Sequence, residues 1–210
     1  MARYSREMTN KISLLIKIIG LAAIALTFGL GAGYIFSNSS SNGEPPRKPE
    51  ANLQGGDFTL TSSSGEVSLS DYKGKLILVY FGYTYCPDIC PTSLTFMSNA
   101  FKKLSKEELE QIQGIFISVD PDRDTVEKLQ QYAAYFHPKI VGITGKKDNI
   151  DAITKRYGAF YRMVDTGSAA GYSVDHSSST ILVGKDGKIK SFLKHGMTGE
   201  EMVKEIRAYF

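Results

Sequence analysis

The sequence predicts an α/β domain with a partly parallel central sheet, preceded by one N-terminal transmembrane helix. Three observations carry that prediction. Short apolar runs alternate with amphipathic segments that open and close on capping residues, the pattern of β-α-β units. A run of 19 residues without charge, Ile18 to Phe36, follows four basic side chains. Between the two lies a stretch rich in Ser, Asn and Pro that cannot bury a core.

From the N-terminus, IIGLAAIALTFGLGAGYIF (18–36) comes close to the ~20 residues a helix needs to cross a bilayer. Arg3, Arg6, Lys11 and Lys17 precede it, so the positive-inside rule leaves residues 1–17 in the cytoplasm and puts everything after Phe36 on the exported, periplasmic or equivalent, side. GLGAG would suit signal cleavage, but the apolar core of a signal peptide is ~7–15 residues, shorter than this one. A retained single-pass anchor in the inner membrane is therefore expected. Residues 37–54, beginning SNSSSNGEPPRKPEAN, read as a flexible tether, and 55–210 as the globular domain.

Within the domain, FTLTSSSGEVSL (58–69) has the turn residues of a hairpin, and KLILVYFGY (75–83) is apolar enough for a strand covered on both faces. PTSLTFMSNAFKKL (91–104) reads as a helix with Pro91 in its first turn. GIFISVD (114–120) is a second buried strand, and DTVEKLQQYAAYF (124–136) a helix that Asp124 and Glu127 could cap reciprocally. KIVGITG (139–145) is a third strand, and KKDNIDAITKRYG (146–158) a helix closed by glycine. STILVGKDGKIKSFL (179–193) is a hairpin turning at Asp186 and Gly187, and Thr198 with Glu201 opens the last helix.

Charge excludes one class of function. The net +3 comes entirely from residues 1–50, where six basic residues face three acidic ones; residues 51–210 hold 19 of each sign. A neutral domain has no basic patch in need of nucleic acid.

Both cysteines of the chain stand four positions apart in YFGYTYCPDICPTSL (80–94). Each precedes a proline, which pushes it out of helical geometry, so CPDIC is expected as a loop between a buried strand and a helix. This puts Cys90 near the N-cap, where free N–H groups and the helix dipole favour a thiolate. A structural disulfide closing so short a loop would stabilise little. A redox couple and a pair of metal ligands stay open.

Three histidines could break the tie. His137 ends a helix and His195 precedes one, both ordinary places for a solvated or capping ring. His176 sits in GYSVDHSSST, read as a polar loop that leads straight into an apolar strand, at the sheet edge where such loops gather, with Asp175 beside it as a candidate to orient the ring.

In their order and spacing, FGYTYCPDICPTSL, SVDPDRDT (118–125) and VDHSSST (174–180), behind one N-terminal anchor, resemble the Sco/SenC family of copper-binding assembly proteins. The resemblance covers essentially all of residues 55–210. It implies a thioredoxin-like fold, a central mixed sheet flanked by helices, in which Cys86, Cys90 and His176 bind copper. The implied function is delivery of copper to the dinuclear copper site of cytochrome c oxidase, or maintenance of its thiols. The oxidase's copper-site subunit is then the partner, and the copper donor stays unnamed.

The donor chemistry agrees with the resemblance. Two thiolates and one imidazole form a soft set that suits Cu(I), and the histidine helps to hold Cu(II). Zinc would also accept Cys₂His plus water. The rival function is a thiol-disulfide oxidoreductase using the Cys86–Cys90 pair. Such enzymes carry a proline before the strand facing their cysteines, whereas the approach here reads HSSSTILV. Enzymatic turnover is not required of a metallochaperone. Asp120, Asp122, Arg123 and Asp124 read either as an acidic loop with a helix cap or, by the resemblance, as a loop that shapes the site or a docking surface. Tyr83 and Tyr85 are expected on one shared face, where they could shield a metal; Met97, Met163, Met197 and Met202 read as core filler.

Overall fold

The computed structural model describes residues 53, 55–168 and 171–210. The expected anchor and nearly all of the tether lie outside the described residues; among those described, no helix is long and apolar enough to cross a membrane.

The elements run β1 (Thr59–Ser62), β2 (Gly65–Ser68), a 3₁₀ turn (Leu69–Tyr72), β3 (Leu76–Gly82), α1 (Ile89–Lys103), α2 (Lys106–Glu110), β4 (Ile112–Ser118), α3 (Val126–Phe136), β5 (Ile140–Ile143), α4 (Lys147–Arg156), β6 (Tyr161–Ser168), β7 (Gly171–His176), β8 (Thr180–Val183), β9 (Ile189–Leu193) and α5 (Gly199–Arg207). The central sheet has the order β5-β4-β3-β8-β9. β3, β4 and β5 are parallel, while β8 runs antiparallel to β3 and β9 to β8. It is the mixed sheet expected of these runs.

Every residue of β3 is buried, as its unbroken apolar sequence requires of a central strand covered on both faces. On one face Tyr80 stacks on Phe116, and α1 and α3 close over β4 and β5. There Gly114 leaves room for Met97 and Phe101, and Gly142 for the backbone of Leu129. On the other face Phe81 meets Tyr157, the residue that ends α4. Met97 and Met202 belong to this core, whereas Met163 lies on the exposed β6 strand.

Four expectations change. α1 begins at Ile89 with Asp88 as its cap, so Cys90 lies inside the first turn and not at the cap. The first N–H groups of a helix have no intrahelical acceptor, so Pro91 does not delay the start. α3 is capped by Thr125, whose hydroxyl accepts from Lys128 N at 3.3 Å; Asp124 is turned inward instead of pairing with Glu127. His176 ends strand β7 of a separate β6–β7 hairpin and is not in a loop. Finally, β3 stops at Gly82, so alternation no longer ties Tyr83 to Tyr85: Tyr83 is buried and Tyr85 is 57% exposed.

Candidate metal centre

The sheet topology assembles the site. The segment with both cysteines, a short loop running into the first turn of α1, leaves the C-terminal end of β3, the DPDRD loop leaves the same end of its parallel neighbour β4, and antiparallel β8 starts there. The end of β7, which leads into β8, therefore arrives beside the cysteines. Ligand sites outside the carboxyl ends of strands are the general rule for open α/β sheets.

Cys86, Cys90 and His176 bring their ligand atoms within 4.8 Å of one another, the one metal-competent group of His, Cys, Asp and Glu among the described residues. Donors bound to one ion at ~2.0–2.3 Å lie at most about 4.5 Å apart, so small side-chain shifts would close the set. Cys90 is fully buried, while Cys86 and His176 are half-buried. His176 Nε2 lies 3.2 Å from Cys90 Sγ. Its Nδ1 lies 2.9 Å from the Ser177 carbonyl, which can only accept, so Nδ1 donates there and Nε2 is the nitrogen that faces the sulfurs. Tyr80 and Tyr83 pack nearly perpendicular to the ring, at centroid distances of 6.1 and 5.8 Å.

The two thiols are not equivalent. Cys86 is held well below the usual thiol range, chiefly by the hydrogen bond from the Cys90 thiol, against burial, with help from His176 and the N–H groups of Cys90 and Asp88. The Cys90 N–H lies 3.4 Å from Cys86 Sγ, so the open end of α1 faces this sulfur. Burial pushes Cys90 far up, and the neighbouring Cys86 adds to it. Both cysteines are free thiols here.

Asp175 does not orient the ring. In a strand, neighbouring side chains point to opposite faces, so Asp175 turns away from the His176 side and pairs with Arg162 across the hairpin at 2.8 Å. The Ser177 carbonyl takes the orienting role. Of the DPDRD loop, Asp120 and Asp124 are buried, Arg123 is mostly buried and Asp122 is exposed. Arg123 lies over the rings of Tyr172, Tyr85 and Tyr83 at 3.7, 5.0 and 5.6 Å, which places this loop against the cysteine loop. His137 packs on Phe101, and His195 hydrogen-bonds Ser93 at 2.9 Å; neither joins the donor group.

The family model for SCO1/SenC proteins matches residues 46–210. The chain belongs to the SCO1/SenC family. A SCO2-like protein of Rickettsia felis is 41% identical over 188 residues, spanning 86% of this chain and 88% of that one. Bradyrhizobium japonicum ScoI, solved with copper bound, superposes with a TM-score of 0.68 at 34% identity, over 75% of this chain and 99% of its own. BsSco, a member of the Sco family of cytochrome c oxidase assembly proteins in which a disulfide switch was identified, gives 0.60 at 28% identity, over 78% and 96%. The α/β fold of this SCO1/SenC chain, with its mixed sheet and helices, matches these thioredoxin-like structures.

The sequence gives no direct sign of several residues that build the centre of this SCO1/SenC chain. Tyr80 looks like any core aromatic, yet it packs on His176. Thr84 and Tyr172 are inconspicuous until their partners Asp124 and Asp120 are seen. Gly82 signals only by its place at the end of an apolar run.

The thiol asymmetry predicts selective alkylation. At pH 6 iodoacetamide should modify Cys86 and spare Cys90, as read by peptide mass spectrometry. A depressed pKa keeps the thiolate as pH falls, so the Cys86 rate should stay nearly flat from pH 8 to 6, where an ordinary thiol of pKa ~8.5 loses most of its ~100-fold range. Equal labelling of both, or an ordinary pH slope, would contradict the arrangement.

Proposed function

We propose that this chain is a membrane-anchored copper metallochaperone that binds one copper ion through Cys86, Cys90 and His176. It delivers the ion to the dinuclear copper site of cytochrome c oxidase during assembly. The observation that carries the reading is the convergence of two sulfurs and the Nε2 of one imidazole at one sheet edge. It is supported by the copper-bound ScoI relative and by BsSco's place among oxidase assembly proteins. Two thiolates satisfy Cu(I), and the imidazole completes a set for Cu(II).

Transfer proceeds by ligand exchange. A recipient's thiolates or imidazoles displace the half-buried donors, Cys86 and His176, first and the fully buried Cys90 last, so the ion is never free. Residues 1–17 stay cytoplasmic, 18–36 anchor the chain, 37–54 tether it, and 55–210 face the recipient on the exported side. The 19-residue uncharged run and its basic flank support this topology. A second reading, a reductase that keeps the oxidase's copper-site cysteines reduced, is favoured by the thiol and low-pKa sulfur lying side by side.

Anaerobic titration of the full-length protein with copper, against a competing chelator, tests the proposal. One ion per chain is expected. His176→Ala should weaken Cu(II) by more than the ~10- to 100-fold that loss of an outer partner costs. Weak copper binding, or a His176→Ala variant indistinguishable from wild type, would leave the reductase reading in its place.

A further inference from the structure

Among the described residues β6 and β7 pair only with each other, so His176 reaches the sulfurs from a hairpin with no backbone ladder to the main sheet. After His176 the chain enters the sheet at Thr180, which ties down one end of β7. Upstream, the hairpin is held by side chains of the loop that follows β4. Asp120, fully buried, accepts from the Tyr172 hydroxyl at 2.6 Å through Oδ1 and from Arg123 Nε at 2.5 Å through Oδ2. Arg123 Nη1 donates to the Tyr172 carbonyl at 2.8 Å, and the guanidinium lies 3.7 Å from the centre of the Tyr172 ring. Tyr172 is thus gripped at its hydroxyl, its carbonyl and its ring face.

The same loop holds the other arm. Asp124, 1% exposed, accepts from Thr84 N at 2.9 Å, Thr84 Oγ1 at 2.5 Å and Ser118 Oγ at 2.7 Å. Thr84 lies two residues before Cys86, and Tyr172 four before His176. Five consecutive residues therefore connect to both halves of the donor set.

We infer that residues 120–124 form a brace that fixes the His176 arm against the cysteine loop, with Asp120, Arg123 and Asp124 as positioning residues that touch no ion. The inference rests on the metal-centre reading and adds what sets its geometry. Buried charges persist only when paired, so the loop has one favoured arrangement, and removing one partner strands the other. Arg123 serves two acceptors on different elements with two nitrogens of one rigid fork, which a lysine cannot reproduce. The Tyr83 hydroxyl also accepts from Val174 N at 3.3 Å, so a broken brace lets the hairpin swing without detaching it. Cu(I), satisfied by two thiolates, tolerates that swing; Cu(II), which needs the imidazole, does not.

The test compares Arg123→Lys and Tyr172→Phe with the wild-type full-length protein. Cu(II) is followed by EPR and by thiolate-to-copper absorption, Cu(I) by chelator competition, and the metal-free proteins by amide hydrogen exchange. Arg123→Lys should lose about 10- to 100-fold in Cu(II) affinity, with nitrogen couplings moving toward those of His176→Ala, while Cu(I) affinity changes less than about threefold. Exchange should quicken in residues 171–176 and stay unchanged in β3. Tyr172→Phe keeps the ring and drops one hydrogen bond, so it should shift the same readouts less, and it serves if Arg123→Lys fails to fold. Wild-type Cu(II) affinity and spectra in the variants would overturn the brace. If copper binding by the wild type proves indifferent to His176→Ala, the metal reading fails separately, and exchange decides: quickening at 171–176 upholds the brace, and no change overturns it.

Discussion

Cys90→Ala is expected to abolish copper retention and, in the same molecule, to slow alkylation of Cys86. A three- or four-donor site that draws an apparent ~10–16 kcal/mol from its ligands owes ~3–5 kcal/mol to each. Loss of one is then worth about two to three and a half orders of magnitude in affinity. The fold should survive: Cys90 lies in the first turn of α1, where alanine is a better helix former, and the buried sulfur removed is worth about 1 kcal/mol. The second effect has its own cause. The largest influence holding the Cys86 pKa down is the hydrogen bond from the Cys90 thiol. Without it the Cys86 pKa rises toward the free value of ~8.5, the thiolate fraction at pH 6 falls, and labelling slows. Chelator competition and pH 6 alkylation on a variant of unchanged helical content measure both. Copper retention in Cys90→Ala would remove this residue from the ligand set, and unchanged labelling would show that the helix end and His176 activate Cys86 without the Cys90 thiol.

How far the centre is legible in the sequence depends on which link is asked for. β3 and β4 stand out because strands buried on both faces must be apolar throughout, and α5 because Thr198 and Glu201 spell its capping box, with Glu201 N donating to Thr198 Oγ1 at 3.3 Å. The β6–β7 hairpin is nearly silent. Its strands are largely exposed and polar, and among the described residues its turn region shows positive φ at Gly167 and Gly171, 61° and 80°. That silence explains the misplaced role of Asp175. Read as a loop, VDHSSS lets adjacent Asp175 and His176 face each other; as a strand it forbids it. The meeting of His176 with cysteines 86 and 90 positions upstream is a product of β3 and β8 lying antiparallel, which no local pattern encodes. Only the family resemblance joined these residues beforehand.

Gly82→Ala should lower stability and disturb the buried thiol together. Gly82 has no positive φ, so its constraint is space and not backbone freedom. A Cβ there would stand 2.6 Å from Cys90 Sγ, 2.9 Å from Phe116 Cε2 and 3.1 Å from Tyr80 Cε1. Phe116 and Tyr80 are fully buried in the close-packed face beneath α1 and cannot retreat. The strain of an added methyl in a filled core costs about 1–3 kcal/mol, or roughly 3–10 °C in Tm for a domain of this size. The neighbour free to yield is Cys90 Sγ, whose rotation would carry it away from His176 Nε2. Gly142→Ala is the control. Its Cβ would meet the Leu129 carbonyl oxygen at 2.5 Å, a backbone clash at the edge strand β5, away from the cysteine loop. It should cost at least as much in Tm while leaving copper affinity of the folded fraction and Cys86 labelling at wild-type values. If Gly82→Ala behaves like Gly142→Ala, the glycine is there for packing alone. If it lowers both copper affinity and Cys86 reactivity, the space kept empty at the end of β3 is what holds the Cys90 sulfur toward its partners.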